Sequence, residues 1–316
     1  MMKKSICLLL AAGLIGSLAS CTPKSNLKIE RPAVDQAYTS FDEATAAGGG
    51  WYQTMIEDFD QNTMPELWHT SPHGLRKTEY WCDNMVNFED GNCVISAAYL
   101  EDNQCEVCPK EGEFTSGIET RYMNGDESIQ SFAQAYGYYE ARVKIPDAEG
   151  MWAAFWIQSN FQRKVGNDGR DGTEIDVFES AFKSDPETVG HALLWDGYGK
   201  SGKVADKKIN TGTNLYDGYH TYGLLWTPTE YVFFVDGKAT WKTDKGGVSS
   251  VPEFLRFTCE IRHGYGPHGV KLKEFNSTAE NPAKFYVDYV KVYQNTDYLQ
   301  HIKSDDDFTG LYDEAN

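Results

Sequence analysis

The sequence predicts an all-β chain, an antiparallel sandwich or jelly roll, from three observations. Two Asp-Gly pairs, Asp90-Gly91 and Asp236-Gly237, each sit between β-prone runs, the pattern of a tight hairpin. Several segments alternate apolar and polar residues with the period of a strand, among them "YGYYEARVKIP" from Tyr136 to Pro146. No long segment carries a capped helical period, and nothing alternates strand with helix as a parallel sheet requires.

The elements follow in chain order. Residues 1–20 read as a signal peptide: Lys3 and Lys4, then an apolar run from Ile6 to Leu18 too short to span a bilayer comfortably, ending in small residues. "LASC", Leu18 to Cys21, resembles a bacterial lipobox, which makes Cys21 the lipidated first residue of an exported, membrane-tethered chain. The plainer alternative is an ordinary signal peptide with an incidental cysteine. Residues 21–50, with Pro23, Pro32 and "AAGGG", read as a linker, residues 51–295 as one domain and 296–316 as an acidic, solvated tail.

The formal charge is −18 and becomes more negative by two when Lys3 and Lys4 leave with the leader. That strongly disfavours nucleic acid and anionic membrane surfaces as partners, and it disfavours heavily sulfated glycans unless a local basic cleft overrides the net charge; neutral substrates fit best. A monomer is expected. Five cysteines follow Cys21: Cys82, Cys93, Cys105, Cys108 and Cys259. "CEVC" lacks a second pair at zinc-site spacing, so a local disulfide or loop thiols are expected there.

The stretch "GTEIDVFESAF", Gly172 to Phe182, places Glu174, Asp176 and Glu179 in a β-prone segment. Composition alone produces such a spacing about once in a chain like this. Glu174 and Asp176 share a strand face; Glu179 has the wrong parity unless a bulge lies between Asp176 and Glu179. With it, the glutamates stand four strand steps apart, roughly 13 Å between Cα atoms. Leaning together, their carboxyls come within about 5 Å, the separation that a retaining glycosidase uses.

"EIDVFE" resembles the bulged catalytic strand of glycoside hydrolase family sixteen, the laminarinase, licheninase and agarase group. Four more segments resemble the family in the same order: "YGYYEARVKIP", "GMWAAFWIQ" (Gly150 to Gln158), "GYHTYGLLWTPTEYVFFVDGK" (Gly218 to Lys238) and "FYVDYVKVYQ" (Phe285 to Gln294). The resemblance implies a β-jelly roll of two curved antiparallel sheets whose concave sheet forms a polysaccharide cleft. It implies Glu174 as nucleophile, Glu179 as general acid/base and Asp176 as the assisting acid, with no cofactor needed for catalysis.

The resemblance places Glu140 and Arg142 on sugar hydroxyls, which carboxylate and guanidinium suit; the alternative is a cross-strand ion pair. Trp152 and Trp156 share a strand face, and the resemblance puts Trp156 in the cleft as a stacking surface. Trp195 is a further stacking candidate, with Tyr198 on the rim; His191 reads more readily as a core histidine. Glu260 and Arg262 align with a substrate-binding strand, but Arg262 stands where licheninase-like members carry an aromatic residue, which points to another sugar or ring orientation. Asp288 resembles the side-chain ligand of a structural calcium. The functions implied are an endo-β-glycanase on β-1,3- or mixed β-1,3/1,4-glucan, an endo-β-galactosidase on galactans or mucin-type O-glycans, or a glycan-binding lipoprotein without turnover.

Overall fold

The computed structural model describes residues 50–121, 132–159, 164–180, 183–266, 269–304, 307 and 313–314. The leader, Cys21 and the linker lie outside them. Among the described residues no helix is long and apolar enough to cross a membrane.

Two large antiparallel-dominated sheets face each other across one core. The first runs Lys238–Thr243, Glu230–Val235, His220–Thr227, Gly137–Lys144, Ala283–Asn295, Asn92–Leu100 and on through short strands; Trp51–Glu57 also pairs with Ala283–Asn295. The second runs Lys203–Asn210, Thr188–Trp195, Glu174–Ser180, Met151–Gln158, Glu253–Ile261, Gly117–Glu119 and His69–Thr70. The expected all-β sandwich is therefore present.

Both Asp-Gly pairs close hairpins. Asp90 and Gly91 have φ of 51° and 72°, Asp236 and Gly237 48° and 73°. Positive φ at both central residues gives a turn whose twist matches the strands it joins, which is why asparagine, aspartate and glycine are favoured there.

The core forms because each sheet turns one set of alternating side chains inward. From the second sheet come Phe155, Phe178 and Phe257, from the first Tyr222, Trp226 and Phe285, all fully buried. Phe178 stacks on Tyr222 at 4.1 Å between centroids, and Phe155 on Phe257 at 4.7 Å. Each such pair adds about 0.5–1.5 kcal/mol to what burial supplies.

The chain end departs from expectation. Thr296–His301 forms a 3₁₀-helix whose Tyr298 packs edge-on against Trp51, and Lys303 N–H donates to the Ser250 carbonyl. The domain thus extends to about residue 304, because these residues carry an apolar patch as well as charge. Asp313–Glu314 pairs with Lys164–Val165; most of the acidic tail lies outside the described residues.

Cys108 is bonded to Cys82 and not to its neighbour Cys105, though the three sulfurs lie within 4.8 Å of one another. Cys93 and Cys259 are buried free thiols, and desolvation pushes both well up from the ordinary thiol value.

Candidate active site

The outward face of the second sheet floors an open cleft of about 960 Å³. Strand parity decides what lines it. Along Met151–Gln158 the odd residues enter the core, while Trp152, Ala154, Trp156 and Gln158 face the cleft. Along Glu253–Ile261 the cleft receives Phe254, Arg256, Thr258 and Glu260, with Arg262 just beyond.

The Glu174–Ser180 strand carries the expected bulge. Its register against Thr188–Trp195 shifts between Asp176 and Glu179, and Val177 and Phe178 both turn into the core. Glu174, Asp176 and Glu179 consequently all face the cleft. On the neighbouring strand Glu174 pairs with Gln158 and Glu179 with Ala154, four rungs apart, as counted from the sequence. Ahead of Glu174, the buried Glu253 carboxylate accepts from Thr173 N–H at 2.9 Å and Ser249 O–H at 2.6 Å, fixing where the strand begins.

The two glutamates have unlike surroundings. Glu174 accepts a hydrogen bond from Gln158 Nε2 at 2.9 Å and another from the Tyr198 hydroxyl. Gln158 also reaches the Tyr198 oxygen at 2.6 Å, so the three form one network. Glu179 accepts from Trp152 Nε1 at 3.0 Å on Oε1. Burial, then the charge of Glu174, pushes Glu179 up to about 8, against the lowering effect of the indole donor. Asp176, 3% exposed, is held well above the usual carboxylate range by burial, then by Glu179 and Glu174. Such a cluster is costly to ionise fully, so it holds protons at neutral pH.

Around the acids lie aromatic rings with guanidinium groups on their faces. Arg262 lies 4.4 Å from the Trp152 centroid and Arg256 4.1 Å from that of Trp156. Trp156 Nε1 donates to Thr258 Oγ1 at 3.1 Å. Glu260 accepts from Arg76 Nε at 3.0 Å and from Arg262 Nη2. Trp152, Trp156, Glu260 and Arg262 thus all reach the cleft.

Three other placements are corrected. Trp195 is 8% exposed and turned into the core, where it lies against Gly246. His191, Leu193 and Trp195 do alternate together, but on the inner face; Ala192 and Leu194 take the cleft. His191 is a satisfied core histidine, with Nδ1 2.7 Å from the Val177 carbonyl and Nε2 2.9 Å from Thr240 Oγ1. Glu140 and Arg142 share a face, but on the first sheet, away from the cleft. Glu140 accepts from the Tyr138 and Tyr289 hydroxyls, each at 2.9 Å, and Arg142 pairs with Asp288. Asp288 is thereby committed to a guanidinium, and a calcium ion would have to compete with that cation.

Sequence reasoning missed Gln158, Arg256, Arg76 and Lys77. Parity with Trp152 and Trp156 marks Gln158, and parity with Glu260 and Arg262 marks Arg256. Arg76 and Lys77 lie between two-residue strands, Gly74–Leu75 and Tyr80–Trp81, where no period exists to read.

A jelly roll with three carboxylates along the floor of an open, aromatic-lined groove is a layout that carbohydrate-active proteins of the two-sheet type share. Comparison with known proteins is more specific. The model for glycosyl hydrolases family 16 matches residues 110–291, more than half of the chain, and the chain belongs to that family. It is 33% identical over 181 residues to endo-1,3-1,4-beta-glycanase EglC of Rhizobium meliloti, covering 57% of this chain and 34% of that protein. With ExsH, an endo-1,3-1,4-beta-glycanase of the same organism, it shares 30% identity over 217 residues, 66% of this chain and 40% of the relative. The chain thus spans a third to two fifths of these relatives' length. Among solved structures, an endo-acting O-glycanase of the human gut microbiota superposes with a TM-score of 0.64 at 20% identity, covering 83% of this chain and 98% of that one. The laminarinase catalytic domain of Thermotoga petrophila gives 0.60 at 22%, covering 78% and 98%. At such identities these two speak for the fold alone.

Proposed function

We propose that this protein is a retaining endo-β-glycanase, with Glu174 as nucleophile, Glu179 as general acid/base and Asp176 supporting both. The observation that carries the assignment is the unlike environment of the two glutamates. Glu174 has two donors that favour and orient its carboxylate. Glu179 is raised to about 8 and is protonated at neutral pH.

The first step joins the Glu174 carboxylate to the anomeric carbon while Glu179 gives its proton to the departing glycosidic oxygen. The ester that forms is uncharged. The like charge that helped to raise Glu179 is then gone, so its pKa falls as it becomes an anion. It now takes a proton from water, which attacks the anomeric carbon, releases Glu174 and restores the starting state. Asp176, buried between the glutamates with a raised pKa, limits the negative charge that they must share.

The substrate of the leading reading is a β-1,3- or mixed β-1,3/1,4-glucan, supported by the named activities of the relatives. A second reading, an endo-β-galactosidase on galactans or mucin-type O-glycans, is favoured by Arg262, which takes the place expected for an aromatic residue. We further propose export and anchoring through Cys21, from the lipobox alone; Cys21→Ser should then move the protein from membrane to soluble fractions with activity intact, and membrane retention would contradict it.

The test of the enzyme is reducing-end release from a panel of neutral polysaccharides and O-glycans, with proton NMR of the first product anomer. The β anomer is expected before mutarotation. An α anomer first would exclude Glu174 as nucleophile, and binding without new reducing ends would leave a glycan-binding protein.

A further inference from the structure

The chain has 29 lysines and arginines against 47 acids, yet the five acids that line the cleft, Glu174, Asp176, Glu179, Asp206 and Glu260, are matched there by five cations, Arg76, Lys77, Arg121, Arg256 and Arg262. They are not equally neutralised. Arg256 has its own counter-ion, the buried Glu119, at 2.7 Å. Around Trp152 the balance differs. Arg76 and Arg262 share the single carboxylate of Glu260. Lys77 lies 5.8 Å from the Trp152 centroid and makes no ion pair among the described residues. Arg262 is 7% exposed and its Nε is buried without a hydrogen-bond partner. Buried Glu79 offsets part of this charge. The Lys77 ammonium is disfavoured first by burial and then by Arg262 and Arg76, which outweigh the opposing Glu79 and Glu174.

We propose that Arg76, Lys77 and Arg262, gathered over Trp152, form a subsite for an anionic substituent of the glycan, a sulfate ester or a carboxylate, on the sugar bound beside Glu179. The position follows from Trp152, whose indole N–H holds Glu179 while its ring carries Arg262. A planar guanidinium lying on a ring keeps its edge for an oxyanion, and a flexible ammonium adds a point charge. A wholly neutral ligand would cover the exposed Arg76 and Lys77 and the buried Arg262 while offering their charges too few partners, an arrangement that selects against it. The net negative charge of the whole chain does not oppose this, because the contact is local and distant surface charge is screened beyond about 10 Å at moderate salt. The inference rests on the glycanase reading for the orientation of the sugar, and replaces its neutral substrate by an acidic one.

Binding separates the inference from catalysis. Full-length Glu179→Gln is titrated calorimetrically with neutral glucan and galactan oligosaccharides and with their sulfate-ester and uronate-bearing counterparts of equal length. The acidic member of at least one matched pair should bind roughly tenfold tighter, the worth of one charge-assisted contact, with the preference shrinking at high salt. Lys77→Ala should remove most of the preference, whereas Lys238→Ala, an exposed lysine outside the cleft, should not. Which series wins tells sulfate from carboxylate. Equal affinity for neutral and acidic partners, no binding in either series, or a preference that survives Lys77→Ala would overturn the subsite. Reducing-end release by the unaltered protein on the same panel decides the glycanase reading separately: loss of turnover with the binding preference intact removes the enzyme and leaves the subsite.

Discussion

Replacing Trp152 by Phe tests the assignment of Glu179 through one hydrogen bond. The indole Nε1 donates to Glu179 Oε1 at 3.0 Å and counts among the influences that lower its pKa. Phe keeps a ring beneath the Arg262 guanidinium and removes the donor. A hydrogen bond to a charged group is worth about 1.5–3 kcal/mol, and one pKa unit corresponds to about 1.4 kcal/mol. The neutral carboxyl also accepts a weaker bond from the indole, so the net rise is about one unit above the starting value of about 8. The sign is fixed by the role. A general acid must be protonated, so kcat/KM falls as pH rises through its pKa. Trp152→Phe should carry this basic limb about one unit higher on the polysaccharide. An aryl glycoside with an acidic phenol needs no proton to depart and should show a weaker limb in its first step for both proteins. A limb that stays in place, or moves downward, would refute the claim that Glu179 is the acid under the control of Trp152.

Three further outcomes follow from the same geometry. Glu179→Ala should retain glycosylation by an activated aryl glycoside and recover turnover with azide as the β-glycosyl azide, while Glu174→Ala should give only the α-azide; the reverse pattern exchanges their roles. Glu253, raised by burial to about 8 from 4.5, contributes stability that is fully present below its unfolded pKa and is lost as pH rises toward 8; Glu253→Gln, which keeps an acceptor for Thr173 and Ser249, should flatten urea-derived stability over that window by at most about 4–5 kcal/mol, and an unchanged slope would exclude it as the source. Trp195→Ala should cost about 3–5 kcal/mol of stability, read from the denaturation midpoint, with KM little changed in the folded fraction; a selective rise in KM without destabilisation would return Trp195 to the cleft.

Much of the fold was legible because strand periodicity and turn chemistry are local. The Asp-Gly hairpins and the bulge before Glu179 follow from residues within a few positions of each other. What alternation cannot supply is the identity of the face. His191, Leu193 and Trp195 were grouped correctly, but a histidine satisfied by Val177 and Thr240 looks in sequence like one that faces solvent. Glu140 and Arg142 were likewise paired on one face, and only the order of strands in space puts that face on the opposite sheet. Arg76 and Lys77 arrive from an irregular segment some hundred residues before the acids they neighbour, and no periodicity points to them.

The bulge between Asp176 and Glu179 bears on how the strand tolerates insertion and deletion. The four residues from Asp176 to Glu179 lie opposite only three, Trp156 to Ala154, and the surplus residue goes to the interior, where Val177 and Phe178 sit side by side. A chain one residue shorter between the aspartate and the second glutamate would form a regular ladder, and simple alternation would still bring all three acids to the same side. The reacting groups would keep their spacing; the loss would fall on the interior, as one apolar side chain fewer against Tyr222 and Phe285. A length change in the middle of the catalytic strand, which elsewhere would turn every later side chain over, is converted here into an ordinary change of core volume.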